Sequence, residues 1–237
     1  RLRIQANGGL VKTGANINLD NAYIDFSGSI STPSTAAAIF RPADNTLAFS
    51  TANVERIRVT NGGLDPSTDA VSDLGNSSKR YRDLYLSSGV FLGGTSSSNE
   101  LHDYEEGSWS PAFKAGNNST ACPTNVSEAK YTKVGRLVTA TAYFTMSSYA
   151  SGTTGGDTRI VGLPFTNVGD HGSCQINYWT SLKQNITFMS GTVQGSTSEI
   201  LIRATTAAAT GTSNIDFDNT FGPSDSLILT ATYHASS

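Results

Sequence analysis

The stretch Asp73–Gly94, DLGNSSKRYRDLYLSSGVFLGG, marks the place where one texture of sequence becomes another. Upstream of it, apolar residues come in short bursts: LRI, LV, INL, YIDF, AIF, LAF and RIRV. Turn signals such as Asn7-Gly8-Gly9, Ser27-Gly28 and Asn61-Gly62-Gly63 separate them. Downstream, after DYEEGSWSP beginning at Asp103, the runs lengthen. The stretch itself crowds Asp73, Lys79, Arg80, Arg82 and Asp83 into a chain that is otherwise Ser, Thr, Asn and Gly between apolar residues. That spacing suits ion pairs between neighbouring segments, Asp73 or Asp83 with Arg80 or Arg82, and equally suits a solvated polar loop.

Working outward toward the N-terminus, YIDF and RIRV alternate with period two, which argues strand rather than helix. Strands this short bury little, and three or more must share an apolar face to be stable in water. Wrapping identical neighbours around a common axis supplies that face and gives an intertwined β-stalk. An ordinary small β-domain is the alternative, and strand brevity favours the stalk.

Toward the C-terminus the runs are SWSPAF, YTKVGRLVTATAYFTM, TRIVGLPF, SCQINYW, ITFMSGTV, SEILIRA, IDFDNTF and SLILTATYH. In LVTATAYF, Leu137, Thr139, Thr141 and Tyr143 alternate with Val138, Ala140, Ala142 and Phe144, so both faces carry apolar character. About eight strands in about 135 residues predict a jelly-roll-like β-sandwich. Val134-Gly135-Arg136 reads as a tight turn and Met189-Ser190-Gly191 as a strand irregularity. The expected division is a stalk and collar over residues 1–102 and a β-sandwich head over residues 103–237, in an all-β chain.

Composition agrees with an all-β class: of 237 residues only 15% are charged, and Gly, Ser, Thr and Asn are abundant. A formal charge of −3 and a pI near 5.6, with no Lys/Arg run, leave no footprint for a polyanion, so nucleic acid is not an expected partner. No apolar run approaches the roughly 20 residues that span a bilayer, and no signal-peptide layout opens the chain. The chain begins with Arg rather than Met, and is expected to be the C-terminal part of something longer. Cys122 and Cys174 form no CxxC or Cys/His ligand pattern, and a single disulfide between them stays open.

Several segments together carry a resemblance: Asp73–Gly94, LHDYEEGSWSPAF from Leu101, YTKVGRLVTATAYFTM from Tyr131 and RIVGLPFT from Arg159, preceded by AIFRPADNTLAFSTANVERIRVTNGG from Ala38. The combination resembles the C-terminal part of bacteriophage tail fibre proteins, more firmly over residues 38–166 than in the last seventy. The resemblance implies a homotrimer at the tip of a virion appendage, joined to other tail proteins through the preceding part of the chain. It implies a head that meets a bacterial surface receptor, a glycan or outer-membrane component. It supplies no binding residues.

Those must come from chemistry. Glycan cleavage uses two carboxylates roughly 5 to 9.5 Å apart. Asp103, Glu105 and Glu106 are acidic neighbours, but they read more simply as a solvated linker; Asp216 and Asp218, on one face of an expected strand, read as an exposed edge. Asn214, Asp216 and Asp218 alternate as cation oxygens would, without the glycine of a calcium loop. His102, His171 and His234 make no HxH or HExxH pattern within one chain, although in a trimer one His from each chain could meet on the axis; neither metal nor cofactor is expected, and no nucleophile elbow or phosphate loop is present. For receptor contact the useful groups are aromatics bordered by amides and hydroxyls. Tyr149 is the first choice, because SSYASGTTGG offers it no evident core partner. Trp179, Tyr178 and Asn177 follow; consecutive strand residues face oppositely, so at most one of Tyr178 and Trp179 faces solvent. Trp109 is assigned to the core. The expected function is non-enzymatic adsorption to the host surface, with a depolymerizing tailspike or a purely structural virion part as alternatives.

Overall fold

The computed structural model describes residues 37–116, 118, 120–150, 155–206 and 210–236, and the backbone of two strands, β1 (Leu2–Ile4) and β2 (Leu10–Lys12), which pair antiparallel. The runs INL and YIDF and most of the Gly152–Gly156 connection lie outside the described residues. The protein is all-β: beside strands, the described residues hold one 3-10 turn and one short α-helix. The chain divides into two compact units, Arg1–Leu84 and Tyr85–Ser237.

In the first unit β3 (Ala37–Phe40), β4 (Leu47–Thr51), β5 (Val54–Val59) and β6 (Leu64–Pro66) form an antiparallel meander in chain order. Ala52 and Asn53, both with positive φ, make the two-residue β4–β5 turn. Among the described residues of this unit few side chains are buried, chiefly Phe40, Ala48 and Ser50, while Ile39, Val54 and Leu64 stay exposed. The stretch that follows contains no strand up to Leu84. It turns tightly at Asn76–Lys79, where the Asn76 side-chain oxygen accepts from the Ser78 N–H at 3.0 Å and the Lys79 N–H at 2.9 Å. Among the described residues the charge cluster forms one ion pair, between chain neighbours, Arg82 Nε donating to Asp83 Oδ2 at 3.0 Å, with Arg82 93% exposed. Val71, Leu74, Tyr81 and Leu84 are exposed as well.

The second unit opens with a small hairpin of β7 (Val90–Phe91) and β8 (Glu100–Leu101). Its body comprises β9 (Glu105–Ser108), β10 (Ala112–Ala115), β11 (Thr124–Val134), β12 (Leu137–Met146), β13 (Thr158–Val161), β14 (Gly172–Thr180), β15 (Phe188–Val193), β16 (Glu199–Thr205), β17 (Ser213–Asn214) and β18 (Ser226–His234). These form one ten-stranded antiparallel sheet, ordered β10-β13-β16-β15-β14-β18-β12-β11-β9, with β17 on β16. The sheet curls until its ends approach. Phe113 of β10 lies 5.0 Å, ring to ring, from Phe144 of β12, although five strands separate them in the sheet. The Cys122 N–H, just ahead of β11, donates to Phe113 O at 2.7 Å. A single curled sheet thus brings inner face against inner face, where two separate sheets are the sequence expectation.

The core follows the strand period. Along β12, Val138, Ala140, Ala142, Phe144 and Met146 point in, and along β18 Leu227, Leu229, Ala231 and Tyr233 do the same. Trp109 joins them, its indole N–H donating to Thr141 O at 2.9 Å. Two sequence readings change and one left open is resolved. IDFDNTF is not a strand: α1 (Phe217–Thr220) starts there, with Asp216 as its N-cap accepting from the Asn219 N–H, and turns Phe217 and Phe221 into the core. Met189-Ser190-Gly191 holds unbroken register; Gly191 is there because a Cβ would stand 2.6 Å from Ile200 Cγ2 and 3.0 Å from Cys174 Cβ. Cys122 and Cys174 are buried thiols rather than a disulfide, and burial pushes Cys174 up to about 12. Gly135, with φ +56, forms the expected β11–β12 turn. The units divide ahead of Asp103, and His102 is held to the large sheet by the Gly135 N–H at 3.1 Å.

Candidate functional site on the outer face of the large sheet

With the apolar half of each strand turned inward, the polar half of β11, β12, β18, β14 and β15 forms a broad outer face. β-branched Thr suits this half-buried pleated surface. Register aligns Lys130, Thr141, Thr230, Gln175 and Ser190 in one cross-strand row, and Thr132, Thr139, Thr232, Ser173 and Thr192 in the next. A shallow groove of about 470 Å³ runs over β14, β15 and β18, lined among others by Ser173, Gln175, Trp179, Phe188, Ser190 and Thr230.

A β-bulge sets which aromatics reach this face. Ile176 pairs with Leu229 and Tyr178 with Ile228, so Asn177 is the extra residue. Cys174 and Ile176 face the core; the inserted residue reverses the alternation, and Tyr178 turns outward, 43% exposed. Its ring meets Tyr143 edge-on at 6.5 Å. Trp179, opposite Leu227, is partly buried against the core and also lines the groove. The two consecutive aromatics therefore do face oppositely.

Tyr149 stands apart from them. Its ring packs edge-on to Phe217 at 6.2 Å, its hydroxyl donates to Phe221 O at 2.9 Å, and Lys183 Nζ lies 5.1 Å over the ring and donates to the hydroxyl. Lys183 also donates to Asp218 O at 2.7 Å. Tyr149 thus has the core partner that its sequence context hides, supplied by α1. Beside it Asp225 is buried and accepts from the Gly222 N–H at 2.8 Å; burial pushes its carboxyl up to about 6, against the pull of that N–H and of Lys183.

Of the carboxylates considered for catalysis or cation binding, all but Asp218 are shown engaged. Asp103, itself at φ +56, pairs with the buried Lys133, whose ammonium lies 5.4 Å over the Phe165 ring. Tyr131 donates to Glu105 and Tyr104 to Glu106, which raises both phenols. The Gly156 N–H and the Asn219 N–H bind Asp216, hold it below the usual carboxylate range and occupy its oxygens. Asn214 donates instead to Asp157 at 3.0 Å, and Asp218 lies within α1. Of the histidines, His234 approaches Asp170 at 3.6 Å. Among the described residues no group of three His, Cys, Asp or Glu side chains is placed to hold a metal.

Sequence reading misses one constellation on the same outer face. Lys114 of β10 and Arg159 of β13 both bind Glu199 of β16, at 2.8 and 3.1 Å. Burial pushes the Glu199 carboxyl up, but the two cations outweigh it and hold the carboxyl low. Arg203 lies further along β16 on the same side. Alternation within TRIV and SEILIRA marks these positions as outward, but only the register brings them together.

These features define an all-β protein whose larger unit is a curled antiparallel sheet with a hydroxyl- and aromatic-bearing outer face. No protein-family model matches the chain, and no curated protein matches it. Among solved structures, the Dettilon tailspike protein (gp208) is similar at a TM-score of 0.44 and 16% sequence identity, over 55% of this chain and 23% of that one. The chain thus spans less than a quarter of that tailspike's length, and the likeness falls below the level at which two folds are the same.

Proposed function

We propose that this chain is the C-terminal part of a bacteriophage tail fibre that adsorbs to the bacterial surface as a homotrimer, without cleaving what it binds. The observation that carries the reading is the resemblance of the collar and the segments around it, Ala38–Thr166, to tail fibre sequences. A second feature supports the oligomer: in the second unit Tyr85, Leu86, Phe91, Leu92, Leu101 and Tyr104 are all more than 45% exposed. Apolar residues at that density, in and around a hairpin of two-residue strands, need other chains to cover them. Trimerisation also supplies avidity, because linked sites make each further contact intramolecular.

Recognition is assigned to the larger unit, whose outer face offers Tyr178 and Asn177 beside hydroxyls and whose groove is lined in part by Trp179, rather than to residues 1–102. The test is sedimentation of the purified chain together with retention of the labelled chain on a panel of bacterial strains. A trimer that is retained by at least one strain, and loses retention in Tyr178→Ala without a change in melting temperature, is the expected result. Monomeric sedimentation, or retention by residues 1–102 alone, would overturn it. Release of reducing ends from surface polysaccharide would favour a depolymerizing tailspike instead.

A further inference from the structure

The cationic cluster on β10, β13 and β16 has more charge than its own partners use. Lys114 and Arg159 share one carboxylate, Glu199, and Arg203 stands four residues further along β16, opposite Asn214, whose amide donates to Asp157, in a chain whose formal net charge is −3. Both oxygens of Glu199 are taken by Lys114 and Arg159. Arg203 has no ion pair or side-chain hydrogen bond among the described residues. The Nε donors of Arg159 and Arg203 are both buried without an acceptor, a condition folded proteins rarely leave unanswered. Leu201, opposite Arg159 in register, is 5% exposed although it lies outside the apolar core, as expected where cationic stems lie across it.

The cluster adjoins the groove through the backbone register. Thr230, Gln175, Ser190, Arg203 and Asn214 are successive partners on β18, β14, β15, β16 and β17. At about 4.8 Å per strand the row spans about 19 Å and presents hydroxyl, amide, hydroxyl, guanidinium and amide in turn. We propose that this row binds an acidic glycan, with uncharged sugars over Gln175 and Ser190 and a carboxylate or equivalent oxyanion received by Arg203 beside Arg159. Charge complementarity selects the anion, since a planar guanidinium matches an oxyanion in two-point contact. The flanking hydroxyls and amides select a hydroxyl-rich chain over an apolar protein surface. Three cations without a basic run are too few for a nucleic acid strand. This deepens the adsorption reading and rests on it.

The full chain is titrated calorimetrically with oligogalacturonate, its methyl ester and inorganic phosphate, for wild type and Arg203→Ala. Arg203 makes no side-chain bond of its own, so its removal leaves the fold intact, which the melting temperature checks. The expected result is binding of oligogalacturonate that weakens about tenfold in Arg203→Ala, and about tenfold for the uncharged ester. Equal affinity of both proteins, equal affinity for the ester, no binding of oligogalacturonate, or phosphate binding as tightly would each overturn the proposal. Retention on bacterial cells separates the two readings: a wild type that is retained while Arg203→Ala is retained equally removes this site alone, whereas a wild type retained by no strain removes the adsorption reading.

Discussion

Two side chains carry measurable consequences of where they are buried. Asp225 has its carboxyl raised by burial from 3.8 to about 6, so the folded chain keeps this proton to higher pH than the unfolded chain does. Its contribution to stability is therefore greatest below the unfolded value and declines as pH rises through the interval up to about 6. Asp225→Asn keeps an oxygen for the Gly222 N–H but cannot titrate. The melting temperature of wild type, taken relative to this variant, should fall between about pH 4 and about pH 7; a constant difference would show that the group does not titrate differently in the two states. Asp103 acts through Lys133, whose side chain is 4% exposed against 36% for Asp103 itself. Asp103→Asn tolerates the same positive φ yet leaves a buried cation unpaired. Stripping a partner from a fully buried pair costs ~3–5 kcal/mol, and solvent around Asp103 lowers the expected loss to about 1–3 kcal/mol. The shift in the denaturant midpoint measures it.

At the level of elements, the strands were legible and their closure was not. Alternation in LVTATAYFTM and SLILTATYH predicts β12 and β18, and the Gly135 turn follows from a two-residue connection. Nothing in IDFDNTF reveals that Asp216 caps a helix, because Asp serves a cap and a strand edge alike in a one-dimensional pattern. That misreading hid the partner of Tyr149, since α1 places Phe217 under its ring. The bulge at Asn177 was hidden too, because an extra residue is defined only against the partner strand. Gly191 illustrates the same dependence: its lack of a side chain looks like a flaw in β15 until Ile200 and Cys174 are placed against it. Ile200 is fully buried and its Cγ2 is fixed at the branch, so it cannot swing aside. Gly191→Ala should destabilise the unit by about 1–3 kcal/mol through overpacking, while Ser190→Ala beside it should change little. Phe113→Ala, which removes the ring that joins β10 to β12, should cost about 3–5 kcal/mol. Thermal melts of the three variants rank these effects.

For the molecule as a whole, exposure of the collar and hairpin residues bears on how many chains are required. Among the described residues up to 102, a core limited chiefly to Phe40, Ala48 and Ser50 offers little for this part to fold around alone. A chain ending at Gly94 should be trimeric or unfolded, and a compact, stable monomer in analytical ultracentrifugation would contradict the oligomer. Arg82 offers a finer test, because its pair with Asp83 is exposed within one chain and worth about 0–1 kcal/mol there. Arg82→Ala should lower the melting temperature of the trimer by more than that pair accounts for, and an unchanged melt would leave the cluster in solvent. The candidate surface was only half legible: aromatic and amide residues stand out in a sequence, but a row such as Gln175, Ser190 and Arg203 exists only once register is fixed. Register has another consequence, in the order of events during synthesis. β18 pairs on one side with β12 and on the other with β14, so an interior strand of the large sheet is the last strand described. Until Ser226–His234 has left the ribosome, β11 and β12 can form a hairpin but β12 keeps an unpaired edge. The sheet must then close in one late, non-local step, slow as such topologies are, and in the interval the bare edge of β12 is what a chaperone or a neighbouring nascent copy would meet.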